Sequence, residues 1–366
     1  MGKRLFSLAT DPYLADHQLE GTPFVPFVVL AESLLELVTD GVTPVADGGL
    51  ADLRLEAPLM LRKGREREVE YARTPTRFEA RDGAGRPLFS ATAATGRHSL
   101  AGPPPRATTP PVLAWPRRNL YPAILRHGPT FQADLQVWRF SPAEAVFAWT
   151  GIAPRPASLA CLGPDRAAAC VLGDLALQAA GLTLLGRGGG YTLPWGAAGY
   201  ERPVPLVGAG PTDTRSAMGP GCPGRPPAKP GSRLAAGPQA DSLATVSSGV
   251  KGPDVTGMPE QGAPGMPERV PTGVPGSDPA AMPLPELDRQ PFPGETYGAA
   301  AATGLSGITC RVTTASDGKL TVETFTADGR ALICWLGLDL RPVGISISGS
   351  AQGLIEALAA LQEVAA

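Results

Sequence analysis

The sequence predicts an α+β fold in which two antiparallel sheets each wrap around one central helix. Three observations carry this. Two apolar helical stretches stand far apart in the chain, at residues 27–38 and about 171–185. Each is accompanied by short β-branched and aromatic runs that end in a strand, an Asp-Gly turn and a second strand. A helix that is apolar on most of its faces must be buried, and a sheet curled around it does this with few elements. The repetition reads as an internal duplication of a one-helix, one-sheet unit.

In the first half, Val28, Ala31, Leu34, Leu35 and Val38 form one stripe at helical spacing. Strand-like runs follow at 50–61, 66–73, 76–81 and 87–94, the last two joined by the hairpin signal Asp82-Gly83-Ala84-Gly85. A Pro-rich connector at 103–111 divides the halves. The second half offers strands at 134–140 and 144–149 before its helix. After it come 307–314, 320–326 and 331–340, with turns at Asp317-Gly318 and Asp328-Gly329. Between 211 and 296, 31 of 86 residues are Gly or Pro and Phe292 is the sole aromatic. That load is above the roughly 25–30% that marks low complexity, and the tract cannot bury enough apolar surface to offset its ordering entropy. The expected organisation is therefore an N-terminal unit at 1–102 and a C-terminal unit made of 112–207 with 298–343. A disordered insertion is expected at 208–297, and a tail at 344–366 carries a short amphipathic helix near 352–364.

Composition narrows the function. A hydrophobic fraction of 43% over 366 residues supports a sizeable core, and a net charge of -2 gives no electrostatic basis for binding nucleic acid or an anionic membrane. Five cysteines without a C-x-x-C argue against a disulfide framework, so a reducing cytoplasm is expected. The apolar stretch after the basic start Met1-Gly2-Lys3-Arg4 ends at Asp11, too soon for a signal peptide. No run of eighteen apolar residues is present, so no membrane span is expected.

Two strings carry chemistry. His17-Gln18-Leu19-Glu20-Gly21-Thr22-Pro23-Phe24-Val25-Pro26 is an H-x-x-x-G-x-x-x-x-P, and Asp174 to Gln178 is a D-x-x-x-Q at the head of the second helix. With only three histidines in the chain (17, 98 and 127), a His in so defined a Gly/Pro frame points to chemistry. One imidazole and one carboxyl are the parts of an acid/base elimination. A neutral imidazole, titrating near pH 6.5, is the base. A carboxyl serves as acid if burial raises its pKa, and Leu172, Leu175 and Leu177 around Asp174 suggest such burial. Gln178, one turn on, can orient the carboxyl. The helix N-terminus just after Pro26 offers free N–H groups and a favourable dipole to a developing anion. Gly21 and Pro26 would shape the turn that aims His17.

The same strings carry a family resemblance. Thr10 to His17 resembles the approach to the catalytic His of the dehydratase domain of type I polyketide or polyunsaturated fatty acid synthases, a double hotdog. The His17–Pro26 string matches that family in full. Tyr121 through His127-Gly128-Pro129-Thr130-Phe131-Gln132 resembles its G-P-x-F-Q motif, Asp174–Gln178 its D-x-x-x-Q, and Leu193-Pro194 its Leu-Pro. The similarity covers about 5–207 and 305–343. It implies dehydration of a 3-hydroxyacyl thioester to a 2-enoyl thioester, with His17 as base and Asp174 as acid. Gly21, Pro26, Phe27, Gly128 and Gln178 would bind substrate, with the Phe27 N–H holding the thioester oxygen. It implies no metal and no bound cofactor, because the substrate rides on the phosphopantetheine of an acyl carrier protein. Carrier protein and neighbouring synthase domains are the implied partners, with a possible homodimer.

Three departures stand out. Phe27 occupies a position where the family usually carries Gly, and its ring could crowd the substrate. Leu125 and His127 replace tyrosines of the modular enzymes; a His there resembles the polyunsaturated or iterative branch. The stretch before Leu5 that usually supplies an edge strand is missing. His127, Tyr121 and Gln132 are read as structural or tunnel residues. Two rivals accompany the dehydratase reading: product-template cyclisation of a polyketone, and an inactive dehydratase-like scaffold. Asp241-Ser242-Leu243 imitates a phosphopantetheine attachment site, but its Pro/Gly surroundings mark it as chance.

Overall fold

The computed structural model describes residues 2–39, 49–62, 66–94, 102, 110–121, 123–152, 157–202, 307–345 and 349–365. The expected insertion at 208–297, most of the connector and Asp241-Ser242-Leu243 lie outside the described residues.

The chain opens on β1 (Gly2–Phe6), passes a small hairpin of β2 (Gln18–Leu19) and β3 (Thr22–Pro23), and enters α1 (Phe27–Thr39). β4 (Gly49–Leu55), β5 (Arg67–Arg73), β6 (Phe78–Asp82) and β7 (Pro87–Ala93) follow. The second half runs β8 (Leu113–Trp115), α2 (Arg117–Leu120), β9 (Asp134–Phe140), β10 (Glu144–Thr150) and α3 (Pro164–Gly186). It continues through β11 (Thr192–Glu201), β12 (Ile308–Thr314), β13 (Leu320–Phe325) and β14 (Ala331–Pro342) to α4 (Gly349–Ala365).

Twelve strands form one sheet in the order β1-β5-β6-β7-β4-β11-β14-β13-β12-β10-β9-β8. The two expected antiparallel sheets are joined edge to edge in it. β4 pairs antiparallel with β11, Leu53 opposite Ala197 and Ala51 opposite Gly199, so one half's sheet continues into the other's. The seam demands small residues: a Cβ on Gly196 would lie 2.8 Å from the Leu53 carbonyl oxygen. β11 was also missed by the sequence reading. Pro194 and two glycines weaken its strand signal, and the register shifts after Pro194. Hydrogen-bonded neighbours on both edges override that local preference.

The first sheet does have its edge strand. Gly2 to Phe6 pair with Tyr71 to Arg67 of β5, so the start of the chain supplies what the sequence reading found missing. Inside the curve of the sheet lie the two central helices. α1 buries Val28, Val29, Leu30, Ala31 and Leu34 almost completely. α3 is apolar on most of its surface and buried throughout its middle turns. By length and composition it could cross a membrane, but 89% of that window is buried in the protein, as in a core helix.

α3 begins at Pro164, not near 171. Proline is at home in a first helical turn, and Gly163 (φ +75°) precedes it. Asp174 therefore stands in the helix interior and not at its head, which rules out an N-cap role. The helices cross where Gly173 meets Val28; a Cβ on Gly173 would sit 2.5 Å from a Val28 methyl. Gly173→Ala is expected to destabilise the fold by about 1–3 kcal/mol through overpacking. Combined with Val28→Ala it should cost less than the sum of the two, as a denaturant double-mutant cycle would measure.

α1 is also fastened to the seam: Tyr200 of β11 donates a hydrogen bond to the buried Glu32 carboxylate at 2.5 Å. The tail helix α4 packs on its own chain, with Leu354 and Leu358 fully buried. It seats against the end of α3, where a Cβ on Gly186 would collide with Phe140 and Leu358.

Candidate active site

The H-x-x-x-G part of the first motif is a tight hairpin. Leu19 pairs with Thr22, and the two loop residues Glu20 (φ 49°) and Gly21 (φ 74°) are both left-handed, as a type I′ turn requires. Gly21 has nothing near its missing side chain and does not line the pocket, so its contribution is conformational rather than substrate contact. The hairpin closes on His17 itself. Phe24 donates its N–H to the His17 carbonyl at 3.1 Å, and His17 Nδ1 lies 3.0 Å from the Phe24 carbonyl oxygen. A carbonyl can only accept, so Nδ1 carries the proton and the Nε2 lone pair is left for the pocket. The ring is 4% exposed and rests on Phe24 with centroids 4.0 Å apart.

Pro26 ends the motif as a helix starter. Its carbonyl accepts from Val29 and Leu30 at 3.0 and 3.3 Å, opening α1, and it lies outside the pocket lining. Phe27 does line the pocket, and its N–H belongs to the first turn, which has no intrahelical acceptor. Its ring, however, is a core residue. It is 4% exposed and packs 5.1 Å from Phe89 and 5.4 Å from Trp335, centroid to centroid. The Phe27 ring, expected to crowd the substrate, packs in the core beneath α1 while the residue also lines the pocket.

Gly128 is likewise relocated. Its N–H donates to the Asp16 carbonyl at 2.7 Å, and a side chain there would overlap the Asp16 carboxylate. It makes close packing beside His17 possible and lies outside the pocket lining, where substrate contact was expected of it. The Asp16 carboxylate in turn accepts from the N–H of Thr130 at 3.2 Å and from its hydroxyl. The segment after α2 thus clamps the backbone that carries His17.

α3 brings Asp174 to the same place. The carboxyl is buried, with Oδ1 3.6 Å from His17 Nε2 and Oδ2 3.4 Å from His127 Nε2. Gln178 donates Nε2 to Asp174 Oδ2 at 2.7 Å and to the Phe131 carbonyl at 3.0 Å. Tyr121 fixes the amide by donating its hydroxyl to Gln178 Oε1 at 2.5 Å. Burial pushes the Tyr121 hydroxyl well above its usual range, so it stays a donor. A relay therefore runs from Tyr121 through Gln178 to the carboxylate.

His127 is the site residue that sequence reasoning set aside. The available signal was its place directly before Gly128-Pro129, which carries it to the His17 backbone, where the two histidines form a β-bridge. Burial pushes its imidazole down to about 4; Asp174 opposes that shift and His17 adds to it. For Asp174, burial pushes upward, but the His127 and His17 imidazoles and the Gln178 amide outweigh it and hold the carboxyl below the usual range. The sequence expectation of a raised pKa is thus corrected. The leucines counted from sequence were real, and the polar partners were invisible.

The His127 shift sets a pH dependence. In the unfolded chain an imidazole takes its proton near pH 6.5, but in the fold only near 4. Between these values the unfolded state binds more protons, so stability should fall as pH drops, by up to about 3 kcal/mol. His127→Gln should flatten that slope in denaturant melts taken from pH 6.5 to 4.

The pocket above these groups is mostly apolar, walled by Met60, Leu125, Leu177, Leu185, Tyr191 and Trp195, with the exposed Arg126 also on its lining. The donor atoms of His17, His127 and Asp174 all lie within 4.8 Å of one another. Such a floor can take a proton from one atom and give a proton to a neighbouring one.

Residues 3–85 match the family model of the polyketide synthase dehydratase domain. The matched segment holds the His17 hairpin and α1. No curated protein sequence matches the chain. Among solved structures, the dehydratase domain from the CurF module of curacin polyketide synthase aligns at 11% identity and TM-score 0.53, covering 93% of this chain and 92% of its own. The CurK dehydratase of the same synthase aligns at 11% identity and TM-score 0.52, with the same coverages. An inactive aspartate-to-asparagine mutant of CurK dehydratase gives 10% identity, TM-score 0.52 and coverages of 94% and 93%. The fold is a double hotdog, shared with these polyketide synthase dehydratases.

Proposed function

We propose that the chain removes water from a 3-hydroxyacyl thioester carried on the phosphopantetheine of an acyl carrier protein, leaving a 2-enoyl thioester. The observation that carries this reading is His17 Nε2 facing the Asp174 carboxyl at 3.6 Å inside a buried, apolar pocket. Inactive forms of the structurally similar CurK dehydratase change a histidine to phenylalanine or an aspartate to asparagine, the two residue types that meet here.

The reactive protonation state, a minor one because the carboxyl is held below its usual range, has the pair's one proton on Asp174. His17 Nε2 takes the C2 proton, and electron density moves onto the thioester oxygen, towards the first-turn N–H of Phe27. As the C2–C3 double bond forms, the C3–O bond breaks and the hydroxyl leaves as water with the proton from Asp174. An ionised Asp174 beside a protonated His17 is the state so reached. Return of the proton from His17 to Asp174 resets the site.

Incubation with a 3-hydroxyacyl pantetheine thioester, followed by mass spectrometry, tests this: loss of one water is expected. Cyclisation of a polyketone analogue would support a product-template activity instead, and no turnover of either would favour a scaffold. Arg126, exposed on the pocket lining, is our candidate to meet the phosphate of the carrier's arm. Arg126→Ala is expected to raise KM roughly tenfold for phosphopantetheine-borne substrate and to leave the pantetheine thioester, which has no phosphate, unchanged.

A further inference from the structure

We infer that His17, His127 and Asp174 form a binding site for a zinc-type divalent cation, and that the ion switches the site off. The binding stands on the geometry alone; the switching-off rests on the dehydratase reading.

The donor set is two imidazoles and one carboxylate, the ligand types that suit zinc. Zinc bonds of about 2.0–2.2 Å in a tetrahedron put neighbouring donors about 3.3–3.6 Å apart. His127 Nε2 lies 3.4 Å from Asp174 Oδ2 and His17 Nε2 3.6 Å from Asp174 Oδ1, so two edges already have that length, and all the ligand atoms lie within 4.8 Å of one another. Small side-chain shifts would draw the three donors onto one ion.

The surrounding groups hold two of the three ligands as metal sites require, while His127 Nδ1 is buried without a hydrogen-bond partner. His17 Nδ1 is turned to the Phe24 carbonyl at 3.0 Å, which leaves Nε2 as the ligating atom. The carboxylate is oriented by Gln178 at 2.7 Å, itself fixed by Tyr121. A backbone bridge joins His17 to His127, and Asp174 sits in the interior of a buried helix. The pocket side remains open for a water or other fourth ligand. Elimination by one imidazole and one carboxyl needs only His17 and Asp174; His127 supplies the third ligand. A bound ion would occupy the His17 lone pair and the Asp174 oxygens together, leaving neither base nor acid.

The test uses the full chain, stripped of metal with a chelator and then titrated with Co²⁺ and Zn²⁺. One ion per chain is expected, with visible Co²⁺ bands of a four-coordinate site. X-ray absorption of the zinc-loaded protein should report nitrogen and oxygen neighbours at about 2.0–2.2 Å and no sulfur, a discriminating result in a chain with five cysteines. His127→Gln and Asp174→Asn should each weaken zinc binding by at least about tenfold to a hundredfold. Sulfur neighbours, no binding at millimolar zinc, or unchanged affinity in both variants would overturn the site. Since absorption on the unaltered chain needs neither substrate nor variant, it decides the matter even if a variant misfolds. Zinc should also abolish thioester turnover at the concentration where it binds. A chain that binds zinc here but never dehydrates a thioester would overturn the activity and leave the metal site standing.

Discussion

His17→Ala is expected to slow dehydration of a 3-hydroxyacyl thioester by about 10² to 10⁴, and Asp174→Asn by a similar factor. The first removes the Nε2 lone pair that faces the pocket, and the second keeps the shape of the side chain while removing its transferable proton. Because both act on one transition state, the double variant should lose little beyond the worse single one. The pH profile of the parent should be a bell whose two limbs belong to the pair, since activity needs one proton shared between His17 and Asp174. Asp174→Asn should remove the limb on which the pair loses that last proton. Single-turnover mass spectrometry of the three variants against the parent gives the answer. Turnover by both single variants at the parental rate would end the dehydratase reading.

Phe27→Gly carries the largest expected effect on stability. The family resemblance made Phe27 look like an obstruction that glycine would relieve. Its ring instead lies between Phe89 and Trp335 in the core. Phe→Ala in such a place costs about 3–5 kcal/mol, and going on to glycine in a helix adds up to about 1 kcal/mol. The loss should reach the site as well. Trp335 also packs on Tyr200 at 4.3 Å and donates Nε1 to the Gly173 carbonyl at 3.2 Å, one residue before Asp174. Denaturant unfolding should therefore show a sharply destabilised protein with lower turnover, while Phe27→Leu, which keeps most of the volume and the same N–H, should lose far less. A Phe27→Gly variant within about 1 kcal/mol of the parent and more active than it would restore the obstruction.

What the sequence disclosed was chiefly local. α1 and the strands flanking its Asp-Gly turn announce themselves through helical spacing and turn residues, and β9, β10 and β12–β14 fall within a few residues of expectation. Gln178 oriented the Asp174 carboxyl as its spacing of four suggested, because an α-helix puts those side chains on one face. What stayed hidden depends on partners distant in sequence. β11 is a strand because β4 and β14 hold it, whatever Pro194 and its glycines prefer. α3 starts earlier than its apolar run suggests, because Gly163-Pro164 opens the helix a full two turns before that run. His127 and the downward shift of Asp174 arise only when residues more than a hundred positions from His17 arrive beside it.

The seam between β4 and β11 has a consequence for how such a chain can be divided. Each of these strands would be an unprotected margin if its half stood alone, and β4 would present Leu50, Leu53 and Leu55 along an open row of backbone donors and acceptors. Open, apolar margins of this kind recruit copies of themselves and grow into fibrous stacks. Each half therefore serves as the other's insulation against polymerisation. A fragment made of the His17 half alone would keep its helix and hairpin, yet its natural fate is to find β4 of another copy where β11 should be.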